Sequence, residues 1–414
     1  MKKLKLATVF SGIGAIEHSL ERLNIPYDIV FAADNGEIEL SQTEEEIKKE
    51  LIGINNPIEK KEFVDNLYRS NRKTNFVQQT YFANYEINEK NYYQDVRFID
   101  GTVYKGEVDL FVGGSPCQSF SMVGKRGGFE DTRGTLFYEF ARLVDEIQPE
   151  VFIYENVKGV LSHDNGNTWQ IMQNVFTDLG YEWDSSILNA KNFGIPQNRE
   201  RIFVVGFKNK KKGKQFIFPK SKKLNKTMKE YLENNVAEKY YLGKKGIDFV
   251  TSKKNLNKQY TQINGEVSLC QKKNQQFNWH GDFRFEPLNS DTGAEIEEKY
   301  FLSDKVAQYV MSTGTKGFYS RPEIDLEIAR PLLSTMAKMH RAGVDNYVTT
   351  YGRIRKLTPR ECLRLMGFCD TFKIVVSDSQ AYKQAGNSIV VDVLMHILVS
   401  IFETEIFNEK RTKK

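Results

Sequence analysis

The chain has 414 residues, 40% of them hydrophobic and 12% aromatic, which suffices for two or three cored domains and excludes a disordered chain. Charged residues reach 27% with a formal net charge of +5, a mild excess that excludes neither an enzyme nor a nucleic-acid binder. No run approaches the roughly 18 apolar residues of a membrane span, the Met-Lys-Lys start is too short and polar for a signal peptide, and the four cysteines and five histidines lack zinc-ligand spacing, so a metal-free, reduced, cytoplasmic protein is expected.

In chain order, Leu4–Phe10 reads as a buried strand, followed by Ser11-Gly-Ile-Gly14 and a helix with Ile16, Leu20 and Leu23 on one face. Ile29–Ala33 reads as a second strand ending at Asp34. Residues 36–75, rich in Glu and Lys with apolar residues at loose helical spacing, read as a helical insertion. Val108–Val112 and Val151–Tyr154 are further short apolar runs, with Leu136–Ile147 helical between them. Trp169, Met172, Phe176 and Leu179 mark another helix, and Ile202–Gly206 another strand. Such alternation predicts an α/β fold with a mostly parallel, doubly wound sheet. From Lys208 to about Tyr351 the alternation stops, and a second, irregular domain is expected. Within it, Lys208–Tyr260 carries sixteen lysines against four acids, a local excess of +12. That block is either a solvated face or a segment that neutralises phosphates. Thr358 and Pro359 then start a helix to Met366, and Val390–Phe402 reads as the last one.

Four turns carry chemistry. Glycines in Phe10-Ser-Gly12-Ile-Gly14, between a strand and a helix, let backbone approach a ligand, and Asp34 is placed to accept hydrogen bonds from a ribose. A tight structural turn would also explain the glycines. The third glycine of a dinucleotide fingerprint is missing, which lowers the case for NAD and leaves an adenosine-type cofactor open. In Gly113-Gly114-Ser115-Pro116-Cys117-Gln118 the cysteine follows a strand's carboxyl end among polar, turn-forming residues, an unusual setting for a merely buried thiol. Glu155, in Tyr154-Glu155-Asn156-Val157, ends the neighbouring strand and would face the same crevice, where burial favours a proton-donating carboxyl. A thiolate with such an acid suits attack on an electron-poor ring. Arg199 and Arg201, in Gln197-Asn-Arg-Glu-Arg201, would point together to the crevice or a phosphate, or make surface salt bridges.

The order of these motifs resembles the DNA (cytosine-5) methyltransferases of bacterial restriction–modification systems, over Leu4–Asp34, Gln78–Phe207 and Arg355–Leu394. Arg355-Lys-Leu-Thr-Pro-Arg-Glu361 is similar to the family's interdomain motif, and Gln384-Ala-Gly-Asn387-Ser388 to its last one. Three departures stand out: Ser115 where many members carry phenylalanine, Asp34 for the usual glutamate, and the long 36–75 insertion. None removes a group the reaction requires.

The resemblance implies a Rossmann-like methyltransferase domain over 1–207, completed by 372–414, and a target-recognition domain with hinge over 208–371. It implies methyl transfer from S-adenosyl-L-methionine to carbon 5 of a cytosine flipped from double-stranded DNA, leaving S-adenosyl-L-homocysteine, without a metal and by a monomer. Cys117 would be the nucleophile, Glu155 the acid, and Arg199 would steady the flipped nucleotide. Phe10, Gly12, Gly14, Asp34, Asp95, Val96, Pro116, Leu136, Asn387 and Ser388 would line the cofactor pocket. The lysine block becomes a set of phosphate contacts, and Arg321, Arg330, His340 and Arg341 become candidate base readers. A tRNA (cytosine-5) methyltransferase is the alternative, for which the second domain is long. A non-catalytic DNA-binding relative is the other, against which Cys117 and Glu155 both stand.

Overall fold

The structure, a computed structural model, describes residues 3–116, 136–233, 252, 261–263, 279–283, 322–323, 325–333, 342–343, 346–350 and 353–407. The chain divides into two compact units: Met1–Leu188 with Glu200–Lys220 and Leu394–Lys414, and Asn189–Arg199 with Ser221–Val393.

The first unit is built on a seven-stranded sheet. Its strands are β1 (Leu4–Val9), β2 (Tyr27–Ala33), β3 (Tyr92–Tyr93), β4 (Leu110–Gly113), β5 (Val151–Val157), β6 (Glu182–Asn189) and β7 (Glu200–Phe207), in the order β3-β2-β1-β4-β5-β7-β6. The pairs β2–β3, β1–β2, β1–β4 and β4–β5 are parallel, which is the doubly wound sheet expected. The chain runs outward from β1 to β3 and then returns to β4 on β1's other side. That reversal opens a crevice beyond the carboxyl ends of β1 and β4.

Burial explains why these runs are strands rather than helices. Phe111, Val151, Phe152, Ile153 and Tyr154 are each 0% exposed, as continuous apolar runs in a sheet covered on both faces must be. Helices α1 (Ala15–Arg22), α5 (Leu136–Ile147) and α6 (Asn167–Asp178) follow β1, β4 and β5 in the chain. On α5, Phe140 stacks on Phe111 with ring centroids 5.1 Å apart, and Phe176 of α6 stacks on Phe152 at 5.7 Å. Burying side chains of this size contributes on the order of 2–3 kcal/mol each. A Cβ on Gly113 would lie 2.8 Å from both Phe140 and Val9, so β4 ends in glycine because α5 packs on it there.

β7 is the exception to the parallel sheet. It pairs antiparallel with β5, so Val157 lies opposite Arg201 and Val151 opposite Phe207. The amino end of β7 is therefore at the crevice and its carboxyl end at the far edge.

Residues 36–75 contain α2 (Glu44–Ile52) and α3 (Pro57–Ser70), followed by α4 (Phe76–Asn84). Thr43 and Glu46 form a capping box at α2, and Asn56 caps α3 with Pro57 in its first turn. Ile38, Ile47, Leu51, Val64 and Tyr68 make a small core of their own, with Phe98 packed against it.

After β7, α7 (Lys210–Gly213) is a single turn. In the second unit, strands β8 (Thr261–Ile263), β9 (Trp279–Phe283), β10 (Pro322–Glu323) and β11 (Ala342–Gly343) form a small parallel sheet, and β12 (Tyr347–Thr350) pairs antiparallel with β13 (Arg353–Lys356). Helix α8 (Pro359–Leu365) starts as read from Thr358-Pro359: the Thr358 hydroxyl accepts from the Glu361 N–H (3.2 Å) and the Glu361 carboxylate from the Thr358 N–H (2.7 Å).

Two helices close the described chain, α9 (Asp378–Asn387) and α10 (Val391–Glu403). The stretch Asp378–Glu403 holds an 18-residue window of mean hydropathy 1.8, apolar enough for a membrane span by length and composition, where the sequence reading found none. Within that window 56% is buried inside the fold, and extended backbone at Ser388 (φ −72°, ψ 156°) separates the two helices.

Candidate active site

The loop leaving β1 enters the crevice through left-handed backbone: φ is 52° at Phe10, 54° at Gly12 and 79° at Gly14. The Ser11 hydroxyl ties it to β2, accepting from the Ala33 N–H (3.0 Å) and donating to the Ala33 carbonyl (3.1 Å). Asp34 ends β2 and locks the same loop. One carboxylate oxygen accepts from the Gly12 N–H and the other from the Gly36 N–H, both at 2.9 Å.

The two loop glycines do different things. A Cβ on Gly14 would fall 2.1 Å from the Tyr85 ring, whose hydroxyl donates to the Gly14 carbonyl at 2.7 Å. Gly14 is small because Tyr85 packs on it. Among the described residues a Cβ on Gly12 would meet nothing nearer than the Phe10 carbonyl at 4.0 Å, so they leave the loop open on the Gly12 side. An open glycine, a half-buried Phe10 ring and the Asp34 carboxylate suit a nucleoside with ribose hydroxyls.

Asp95 and Val96 are placed less simply. Asp95 is buried, and its carboxylate accepts from the Tyr68 hydroxyl (2.7 Å), the Arg97 backbone N–H (3.1 Å) and the Arg97 guanidinium (Nε 2.9 Å, Nη2 2.5 Å). Its oxygens are already engaged by the protein, one of the donors coming from the insertion. The Val96 side chain belongs to the main core, and Leu136, at the start of α5, packs against that core.

Beneath the loop sits a carboxyl that the sequence reading passed over. Glu17 on α1 is 0% exposed; its Oε1 accepts from the Tyr81 hydroxyl (2.6 Å) and the Thr8 hydroxyl (3.3 Å). Oε2 has no hydrogen-bond partner among the described residues. Burial pushes this carboxyl up from an ordinary 4.5 to about 7, against the opposing pull of Tyr81.

On the other side of the switch point, Gly113 and Gly114 carry the chain out of β4 towards Pro116, which is exposed. Cys117 lies outside the described residues. A Cβ on Gly114 would come within 2.9 Å of the Glu155 Oε2, so this glycine makes room for the carboxylate. Glu155 Oε1 lies 3.0 Å from the Arg201 Nε, with both side chains largely buried. Antiparallel pairing of β7 brings these two charges together.

The two arginines of the Q-x-R-x-R motif therefore part company. Arg199 is buried in the second unit, where its Nη2 donates to the Gly386 (3.0 Å) and Ser388 (2.9 Å) carbonyls and its Nη1 to the Leu332 carbonyl (3.2 Å). It braces the turn after α9; Arg201 is the arginine on the acid. An i, i+2 pair shares a face only inside a strand, and β7 begins at Glu200. Asn387, exposed, and Ser388, buried, flank that braced turn in the second unit.

Two charge readings also change. Arg330 is 0% exposed, with its N–H donating to the Asn346 side chain at 2.8 Å and its carbonyl accepting from it at 3.1 Å. A fully buried arginine is not a base reader; Arg321, His340 and Arg341 lie outside the described residues. Lys210, Lys211, Lys212 and Lys214 follow the carboxyl end of β7, next to Val151 rather than Glu155. The eight residues of β7 span about 25 Å at roughly 3.3 Å each, so these lysines sit at the opposite edge of the sheet from the acid.

Comparison with known proteins completes the picture. The family model for the C-5 cytosine-specific DNA methylase matches residues 51–403. The orphan methyltransferase M.SPRI of Bacillus phage SPR is 31% identical across 99% of this chain and 100% of its own length. The type II methyltransferase M.HhaI of Haemophilus parahaemolyticus is 35% identical across 71% of this chain and 75% of its own. Among solved structures, a Spodoptera frugiperda DNMT2 mutant (TM-score 0.57, 14% identity) covers 97% of this chain and all of its own. A putative DNA modification methyltransferase from an E. coli prophage (TM-score 0.54, 20% identity) covers 97% of this chain and 99% of its own. At such identities the structures speak for the fold alone.

Proposed function

The chain belongs to the family of C-5 cytosine-specific DNA methylases, and from that premise we propose how its own residues perform methyl transfer to carbon 5 of cytosine in DNA. When bound, S-adenosylmethionine supplies the methyl group and is left as S-adenosylhomocysteine. Phe10, Gly12 and Asp34 would hold its adenosine, with the Asp34 carboxylate receiving ribose hydroxyls beside the two N–H groups it already holds. Asp95 shapes that edge of the pocket chiefly by anchoring Arg97 and Tyr68. By the family resemblance Asn387 and Ser388 of the final motif are further cofactor-binding candidates, and no metal takes part.

Carbon 5 of free cytosine is not nucleophilic. The Cys117 thiolate adds to carbon 6, Glu155 delivers a proton to ring nitrogen 3, and carbon 5 becomes enamine-like. Arg201 orients the Glu155 carboxylate through its 3.0 Å contact, a role the sequence reading gave to neither arginine. Once carbon 5 carries the methyl group, its proton passes to a solvent base and the carbon 5–carbon 6 double bond re-forms. The bond to sulfur breaks to release the thiolate, and ring nitrogen 3 returns its proton to Glu155. The base must leave the duplex for any of this, at a cost of a few kcal/mol. Residues 208–371 supply target recognition, and the enzyme works as a monomer on DNA in the cytoplasm of a bacterium, as the modification partner in a restriction–modification system.

The pairing of Glu155 with Arg201 at the carboxyl end of β5, against Gly114, carries this reading. A duplex carrying 5-fluorocytosine at the target site tests it, since fluorine on carbon 5 blocks the elimination. The wild type is expected to be captured covalently at Cys117, and Cys117→Ser not at all. Capture at Cys270, Cys362 or Cys369 would refute the assignment, and methyl transfer to transfer RNA but not duplex DNA would favour the alternative substrate.

A further inference from the structure

Glu155 is flanked on β5 by two polar residues that the reaction does not use. Tyr154 is 0% and Asn156 2% exposed, and both reach back to Ser115, itself 5% exposed and two residues before Cys117. The Asn156 Nδ2 donates to the Ser115 carbonyl (3.2 Å) and to the Tyr154 hydroxyl (2.8 Å), and the Tyr154 and Ser115 hydroxyls are 2.7 Å apart.

The orientation of the Asn156 amide follows from one further contact. Asn156 Oδ1 accepts from the Val157 N–H at 2.8 Å, which fixes which side of the amide faces Ser115. The Tyr154 oxygen accepts from that amide, and one of the Tyr154 and Ser115 hydroxyls donates to the other. Buried polar groups that satisfy one another in this way hold one geometry, because breaking any link strands the rest away from water. A phenylalanine at 115, usual in the family, would offer Tyr154 no partner.

We propose that Ser115, Tyr154 and Asn156 form a clamp that sets the path of the chain out of β4, and so positions Pro116-Cys117 against the acid carried between the two clamp residues. Tyr154 and Ser115 are then positioning residues. They touch neither base nor cofactor, and act by holding nucleophile and acid on a common three-residue frame. The inference rests on the reading of Cys117 as nucleophile.

Ser115→Ala, which deletes one oxygen, and Tyr154→Phe, which keeps the ring, separate this role from mere support. A small misplacement of reacting groups costs between about tenfold and 100-fold in rate. Each variant is expected to lower kcat and the rate of capture by 5-fluorocytosine DNA by at least tenfold. KM for S-adenosylmethionine and the affinity for DNA should stay within about twofold. The double variant should be no slower than the slower single one, since both delete one shared bond. Capture at the wild-type rate in Ser115→Ala, or losses that multiply in the double variant, would overturn the clamp. Cys117→Ser run alongside keeps the two ideas apart: if it still methylates, the site reading itself fails, whereas an inactive Cys117→Ser with a fully active Ser115→Ala sinks only the clamp.

Discussion

Replacing Glu17 by glutamine should make the protein's stability less dependent on pH. Burial raises the Glu17 carboxyl from 4.5 to about 7 in the folded chain. Between those values the native state holds a proton that the unfolded chain releases, so the wild type loses stability as pH rises through the interval. At about 1.4 kcal/mol per pH unit the loss amounts to about 3 kcal/mol, complete above pH 7 and absent below pH 4.5. Glutamine keeps an acceptor for the Tyr81 hydroxyl but puts an amide where Oε2 has no hydrogen-bond partner among the described residues, a fixed cost of about 1–3 kcal/mol. The variant should thus be the weaker protein near pH 5 and gain on the wild type by about 3 kcal/mol by pH 8. Urea midpoints at pH 5, 6, 7 and 8, read at matched slopes, measure that difference directly. A gap between variant and wild type that stays constant across the series would show that Glu17 is not held protonated by burial.

The two arginines of one motif should respond differently. Arg201→Ala should lower kcat by about 100-fold with cofactor affinity unchanged, whereas Arg199→Ala, which strands three buried carbonyls, should cost about 3 kcal/mol or more in unfolding experiments; equal kinetic losses at normal stability for both would contradict the division. Changing Lys210, Lys211, Lys212 and Lys214 together to glutamine should leave DNA affinity and its salt dependence unchanged, because these residues sit at the far edge of the sheet. A salt slope shallower by about 0.9 per lysine would put them on phosphates after all.

What could be read from residues alone follows from how local each feature is. Helix α5 was legible to the residue, and α8 was announced by Thr358-Pro359, because caps and apolar spacing act within a few residues. β6 was missed: Glu-Trp-Asp-Ser-Ser-Ile-Leu-Asn offers no apolar run, and only its last two residues are buried, at the sheet's edge. β3 has two residues and no signal at all. The geometry was legible where single turns set it: Gly114 and Glu155 do meet at the carboxyl ends of neighbouring strands, as read. It was not legible where the answer depends on strand direction. Only an antiparallel β7 brings Arg201 to Glu155 and sends the lysines away, and nothing in Glu200–Phe207 encodes that direction. Tyr68 and Asp95 lie in separate segments, and their bond depends on how the insertion folds back.

The division of the chain carries a consequence for its synthesis. The polypeptide leaves the first unit after Leu188, returns at Glu200, leaves again after Lys220 and comes back only at Leu394. The sheet is thus interrupted between β6 and β7, and its unit is completed by the segment Leu394–Lys414, far along the chain from Lys220. At roughly 5–20 residues per second, the ribosome needs on the order of 10–35 s to pass from Lys220 to that segment. During that time apolar surface destined for the final helix has no native cover, which is when holding chaperones act on a nascent chain. Neither unit, moreover, corresponds to one uninterrupted stretch of gene. A break at 220/221 would give one piece that lacks Leu394–Lys414 and another that lacks Asn189–Arg199. Each half would hold what the other needs to fold, and methylation could be made to depend on their meeting.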